Sequence, residues 1–161
     1  MKIMFVKLMG CLLVPFVIAS CSKAPKCSDS DVVKQATEIA QEIWFNQISG
    51  PGSIGYNTIV YGLQVEDPAY RNILTKASTR TLSLADLKES KSEKIIAFLK
   101  ETEPKIKAMK LKSITTQSID KELKKCSCEA DFINDKNQIV PIKFRAQKTD
   151  EDKIKVEISF N

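Results

Sequence analysis

The chain has 161 residues, 43% of them hydrophobic, with 25 Lys and Arg against 20 Asp and Glu, a net charge of +5. So small an excess of positive charge argues against the strongly basic face of a nucleic-acid binder. No histidine is present, which removes the commonest acid–base group at neutral pH and the commonest metal ligand.

The first segment has the parts of an export signal. Lys2 and Lys7 give a positive start without acids, and an apolar run follows from Leu8 to Ala19, interrupted by Gly10, Cys11 and Pro15. The run is too short for a membrane-spanning helix of about 20 apolar residues with flanks. Its end, Val17-Ile18-Ala19-Ser20-Cys21, resembles the lipobox of bacterial lipoproteins. That resemblance implies that residues 1–20 are a signal peptide and that Cys21 becomes the first mature residue, with a diacylglycerol on its sulfur and an N-acyl chain such as palmitate on its nitrogen. Two or more chains give stable membrane attachment. Ser22 in second place implies sorting to the outer membrane, facing the periplasm; in a Gram-positive host the domain would sit outside the cell membrane. Leu8-Met9-Gly10-Cys11 also ends in cysteine, but the apolar run continues past it. Residues 21–27 then read as lipidated cysteine and polar tether, and 28–161 as one domain. Loss of Lys2 and Lys7 leaves 23 basic residues against 20 acidic ones, a net +3. A domain of this length buries about two thirds of its unfolded surface and does not need staples to fold.

Ser28 followed by Asp31 fits a capping box, and Val32, Ala36, Ile39, Ala40, Ile43 and Trp44 recur at helical spacing, predicting a helix over about 29–47. Trp44 is expected in the core. Phe45 falls towards the polar side and, with the Gly50 to Gly55 loop, is a candidate edge for a binding surface. From Tyr56 to Val65 the pattern leaves the element open: Ile59, Tyr61 and Leu63 alternate with Val60, Gly62 and Gln64, which allows a short strand, though Gly62 weakens it. Asp67-Pro68 starts a short helix through Tyr70, Ile73, Leu74 and Ala77. Ser83 and Asp86 make a second capping box, and a helical pattern runs through Leu84, Leu87, Ile95, Ile96, Phe98 and Leu99 towards Pro104, with Lys88 to Lys94 as a loop.

The last third changes to a period of two. Met109, Leu111 and Ser113 share a face, with Ile114 out of phase, as at a bulge. Cys126, Cys128, Ala130 and Phe132 alternate with polar residues, as do Val140, Ile142, Phe144 and Ala146, and then Ile154, Val156, Ile158 and Phe160. Turns at Asn134 to Asn137 and Thr149 to Asp152 separate them. Three such strands form an antiparallel meander covered on one face. The expected fold is α+β: a long N-terminal helix packed on an antiparallel sheet that ends in a three-strand meander, with short helices in the middle.

Removal of Cys11 and lipidation of Cys21 leave Cys27, Cys126 and Cys128 in an oxidising compartment. Cys27 precedes the first helix, and both sheet cysteines face the side that helix should cover, so a disulfide from Cys27 to Cys126 or to Cys128 would staple helix to sheet. A bridge between Cys126 and Cys128 is poor, because i and i+2 on a strand lie ~6.5–7 Å apart, at the long end of disulfide reach. The third thiol is expected to be buried and inert, or to pair between molecules.

The helix-on-sheet order looks like cystatin-like folds. Cys27-Ser28-Asp29, Cys128-Glu129-Ala130 and the C-terminal hairpin also resemble a loose group of small bacterial and phage lipoproteins of unknown function. This resemblance covers the first helix and residues from about 111 onward, and implies Cys128 as the partner of Cys27.

No catalytic set stands out. Zinc needs four protein ligands, or three and an open position, and a cysteine nucleophile needs a base; without histidine neither metal nor cofactor is expected. Glu38, Glu42, Asp150, Glu151 and Asp152 lie on polar faces or in turns, and Gly50-Pro51-Gly52-Ser53 lacks the Lys-Ser/Thr of a phosphate loop. The lysines at 100, 105, 107, 110, 112, 121, 124 and 125 are expected on a solvated face. The function expected is that of a membrane-anchored, non-enzymatic envelope lipoprotein that binds an unknown protein partner and no nucleic acid. An inhibitor, immunity or phage-exclusion factor and a structural subunit of a secretion or conjugation apparatus are the alternatives within binding; an enzyme is disfavoured.

Overall fold

The computed structural model describes residues 23–63 and 67–160. Among the described residues, five helices precede four strands: α1 (Ser30–Ser49), α2 (Ile54–Gly62), α3 (Tyr70–Ser78), α4 (Leu84–Leu87), α5 (Glu93–Ala108), then β1 (Lys110–Asp120), β2 (Lys125–Ile133), β3 (Ile139–Lys148) and β4 (Ile154–Phe160). The strands form one antiparallel sheet in the order β1-β2-β3-β4. The fold is α+β, with the long first helix lying on the sheet.

The meander follows its alternation. Cys128 stands opposite Phe144, which stands opposite Ile158; Ala130, Ile142 and Phe160 make the adjoining row. The inward residues Cys126, Cys128, Ala130, Phe132, Ile142, Phe144, Ala146 and Val156 are buried. Phe132 sits among aromatics, its ring 6.2 Å from that of Trp44 and 6.2 Å from that of Phe160. The phase break at Ile114 is a bulge: the β1–β2 register skips between Lys112 and Thr115, and Ser113 takes φ 51°. Both turns close on side chains. Asn134 Oδ1 accepts from the N–H groups of Lys136 and Gln138, and Thr149 Oγ1 accepts from that of Lys153.

Helix α1 is covered on two sides. Strands β4 and β1 lie against one, and α2 and α5 against the other. This corrects two expectations. Phe45 is 1% exposed, since the side of α1 that reads as polar faces Leu84 of α4 and Ile106 of α5. Trp44 is half-buried at the other edge, where its Nε1 donates to Asp135 Oδ1 at 3.1 Å. The Ser28–Asp31 capping box is not formed. Asp29 is the N-cap without a side-chain cap bond, and its carboxylate instead accepts from the Lys26 N–H at 2.8 Å.

Residues 54–62 are helix, not strand. Ser53 Oγ accepts from the Tyr56 N–H at 2.9 Å, satisfying one orphan donor of the first turn, and Ile59 is buried against neighbouring helices. The Ser83–Asp86 box is present, and Lys76 Nζ adds a bond to the Asp86 carboxylate. Pro104 does not stop α5, which continues to Ala108. Pro104 and Lys100, whose carbonyl loses its helical partner, are both exposed, where the loss of that bond costs least. Ile106 and Met109 are buried beyond it, and the pairs Glu101–Lys105 at 2.7 Å and Glu103–Lys107 at 2.8 Å span the break.

Candidate functional site: a helical groove and a sulfur cluster

Two features of the described residues stand apart from ordinary core and surface. The first is a groove of about 640 Å³ between α2 and α5, lined by Ile54, Tyr61, Ala97, Phe98, Lys94 and Glu101 among others. Ile54 is 86% exposed and Tyr61 79%. They are seven residues apart, two turns along the outer side of α2. Single exposed apolar residues are ordinary; two large ones bordering a concave surface floored by Phe98 are not.

The helices that form the groove are held by a buried polar latch. Asp67 accepts from Ser90 Oγ at 2.6 Å, from the Lys91 N–H at 3.1 Å and from the Ala69 N–H at 2.9 Å. Ser90 Oγ in turn accepts from the Ser92 N–H, and Ser92 Oγ donates to the Gly62 carbonyl. The end of α2 is thereby fixed to the start of α5. Burial by itself would raise the Asp67 carboxyl, but the bonds from Ser90, Ala69, Lys91 and Ser92 hold it below its ordinary value.

The expected binding edge at Phe45 is absent, yet the loop after α1 does lead to a candidate surface, made by α2 and α5 instead. The alternation from Ile59 to Gln64, compatible with a strand as well as a helix, concealed it. Ser53 as an N-cap was the signal available: it starts a helix on which Ile54 and Tyr61 share a side opposite Ile59.

The second feature is the cysteines. Cys27 and Cys128 are disulfide-bonded, their Cα atoms 5.8 Å apart and 101 residues apart in sequence. Cys126 is a buried free thiol. Its Sγ is 3.7 Å from that of Cys128, and all three Sγ atoms lie within 4.8 Å of one another. Burial pushes the Cys126 thiol up, and Asp29 adds to this, while a backbone bond from Ala146 opposes it. Cys21 and the signal segment lie outside the described residues.

The outer sheet face has a shallow depression of about 550 Å³ bordered by Gln117, Glu129, Lys143, Arg145 and Glu157. Its charges are matched: Gln117 Nε2 donates to Glu129 at 3.0 Å, Lys143 lies 3.8 Å from Glu129, and Lys155 pairs with Glu157 at 2.8 Å. Of the dense lysines, Lys105 and Lys107 are committed to Glu101 and Glu103; the second of these also holds Lys88, and its carboxyl is pushed down to about 2. Asp67 and Asp86, both buried, are each surrounded by donors.

No protein-family model matches the chain, and no curated protein or solved structure gives a significant match.

Proposed function

We propose that the chain is a lipid-anchored envelope protein, attached through Cys21, that binds another protein through the α2–α5 groove and carries out no chemistry of its own. The observation that supports the binding surface is the exposure of Ile54 and Tyr61 on the border of that groove. Tyrosine gives a large, rigid, amphipathic contact, and such anchors carry most of the energy of interfaces. A groove between two helices suits an apolar side-chain row of a partner helix, and Lys94 and Glu101 supply a rim of both signs. A tether raises the effective concentration of any partner held at the same membrane, so a modest contact suffices. The lipobox resemblance supports the anchor, and the latch, which holds α2 to α5, supports a preformed groove.

A photo-crosslinking residue at Tyr61, compared with one at Arg145 on the outer sheet face, tests the binding reading in intact cells. One protein captured from Tyr61 but not Arg145, and lost in an Ile54→Asp background, is expected. Equal capture from both positions, or none from Tyr61, overturns it. Mass spectrometry of the mature N-terminus tests the anchor separately; a chain beginning anywhere but at a lipid-modified Cys21 overturns that part alone.

A further inference from the structure

Cys27, Cys126 and Cys128 are 1%, 1% and 2% exposed, so the three sulfurs share one sealed site. The Cys27 Sγ lies 3.5 Å from the carbonyl oxygen of Ser127, the residue between the two β2 cysteines. It therefore lies over the Cys126–Cys128 segment, bonded to Cys128 and within 4.8 Å of the free Cys126 thiol, which also touches Cys128 Sγ at 3.7 Å. Alternation on β2 turns both side chains to the same face.

We propose that the staple is degenerate, Cys27 exchanging its bond between Cys128 and Cys126 by an internal thiol–disulfide exchange. The Cys126 thiolate attacks the Cys27 Sγ. A Cys126–Cys27 bond forms, the Cys27–Cys128 bond breaks, and Cys128 leaves as a thiolate that takes up the proton Cys126 gave away. One disulfide and one thiol enter and one of each leaves, so no outside oxidant or reductant is required. Attack on the Cys128 Sγ would instead bridge two residues of one extended strand, near the limit of disulfide reach, so the exchange runs through Cys27. The covalent tie between the start of α1 and the sheet thus survives loss of either β2 cysteine, while its attachment moves by two residues along β2. Burial and Asp29 keep the Cys126 thiolate scarce at neutral pH, so each pairing persists long enough to be trapped.

The test uses the oxidised mature protein. Cys128→Ser is purified under air, unfolded in acidic denaturant that freezes exchange, and treated with a maleimide. The expected result is no labelled cysteine and a Cys27–Cys126 bridge. In parallel, the wild-type protein is held folded at alkaline pH, quenched and labelled in the same way. Fragmentation within the peptide that carries both β2 cysteines then assigns the label, which is expected on Cys128 as well as Cys126. Two labelled cysteines in a folded Cys128→Ser protein overturn the proposal. If that variant does not fold, the wild-type map decides, and a label confined to Cys126 after alkaline incubation overturns it.

Discussion

Asp67 and Ser90, 23 residues apart in sequence, share a buried hydrogen bond of 2.6 Å that joins the turn before α3 to the loop before α5. Asp67 is 8% exposed and Ser90 6%. The carboxylate has two further backbone donors, so its burial is fully compensated, and loss of any member strands the others. Asp67→Asn removes the charge from all three bonds and turns part of the acceptor into a donor. A loss of about 1.5–3 kcal/mol is expected, the range for hydrogen bonds to charged groups, read as a lower urea midpoint with unchanged slope. Ser90→Ala should cost about 1–3 kcal/mol by leaving Asp67 and the Ser92 N–H without their partner.

The same carboxylate sets a pH dependence. Burial opposes ionisation at Asp67 and at Asp86, but hydrogen bonds at both, and Lys76 at Asp86, hold the folded carboxyls below the ordinary 3.8. A carboxyl lowered on folding releases its proton more readily in the native state, so the unfolded chain binds more protons at acid pH. The stability these groups contribute is full above about pH 4 and is lost as pH falls through their lowered values. Asp67→Asn should therefore have a shallower decline in midpoint below pH 4 than the wild type, with the two curves parallel near neutrality. Parallel curves throughout the acid range would remove Asp67 as a source.

The parts legible in the sequence are those where one period dominates. Val32, Ala36 and Ala40 place α1, and the alternation from Cys126 to Phe160 places three strands with their inward faces. What escaped depends on partners far along the chain. Phe45 reads as peripheral while α1 is assumed to touch only a sheet; α4 and α5, packed on its other side, bury it. Residues 54–62 carry two glycines and three β-branched residues in succession, a poor helical composition, and become a helix through the Ser53 cap and contact with α1 and α5. The groove was hidden by the same open choice of period, because Ile54 and Tyr61 lie on one side only when the period is helical.

The disulfide closes a loop with a sequence separation of 101 residues. Loop-closure entropy gives about 4.7 kcal/mol for a loop of about 100 residues, against about 2–4 kcal/mol commonly measured. Cys27→Ser should lose about 2–4 kcal/mol, because neither β2 cysteine can replace the missing partner. Its denaturation midpoint should be insensitive to a thiol reductant that lowers the wild-type midpoint. A wild-type midpoint unmoved by reductant under unfolding conditions would show that the bridge carries none of the stability.

The groove residues should separate binding from folding. Ile54 and Tyr61 are 86% and 79% exposed, and surface changes away from caps and networks stay within about 0.5 kcal/mol. The double variant Ile54→Ser, Tyr61→Ser should keep the wild-type urea midpoint while no longer co-purifying the protein that the crosslink at position 61 identifies. A clear loss of stability would mean that both side chains are structural, which would take away the observation on which the binding surface rests.

Gly55 carries a prediction whose sign opposes intrinsic propensity. Glycine inside a helix is about 1 kcal/mol worse than alanine, and Gly55 is the second residue of α2, so replacement by alanine would ordinarily stabilise. A Cβ at this position, however, would collide with the backbone carbonyl oxygen of Ile48 near the end of α1, with Phe98 behind it at 3.4 Å. Backbone cannot swing aside as a flexible side chain can, so α2 must move away from α1, and Phe98 at the groove floor moves with it or loses contact. Gly55→Ala should therefore cost about 1–3 kcal/mol, the usual range for an overpacked site, and weaken capture of the partner at Tyr61. Gly52, at φ 88° with nothing within 4 Å of an added Cβ, is the control for conformational strain without crowding: Gly52→Ala should lower stability and leave capture unchanged. An alanine at 55 that raises the unfolding midpoint would show that α2 and α1 do not approach as closely as their backbones indicate.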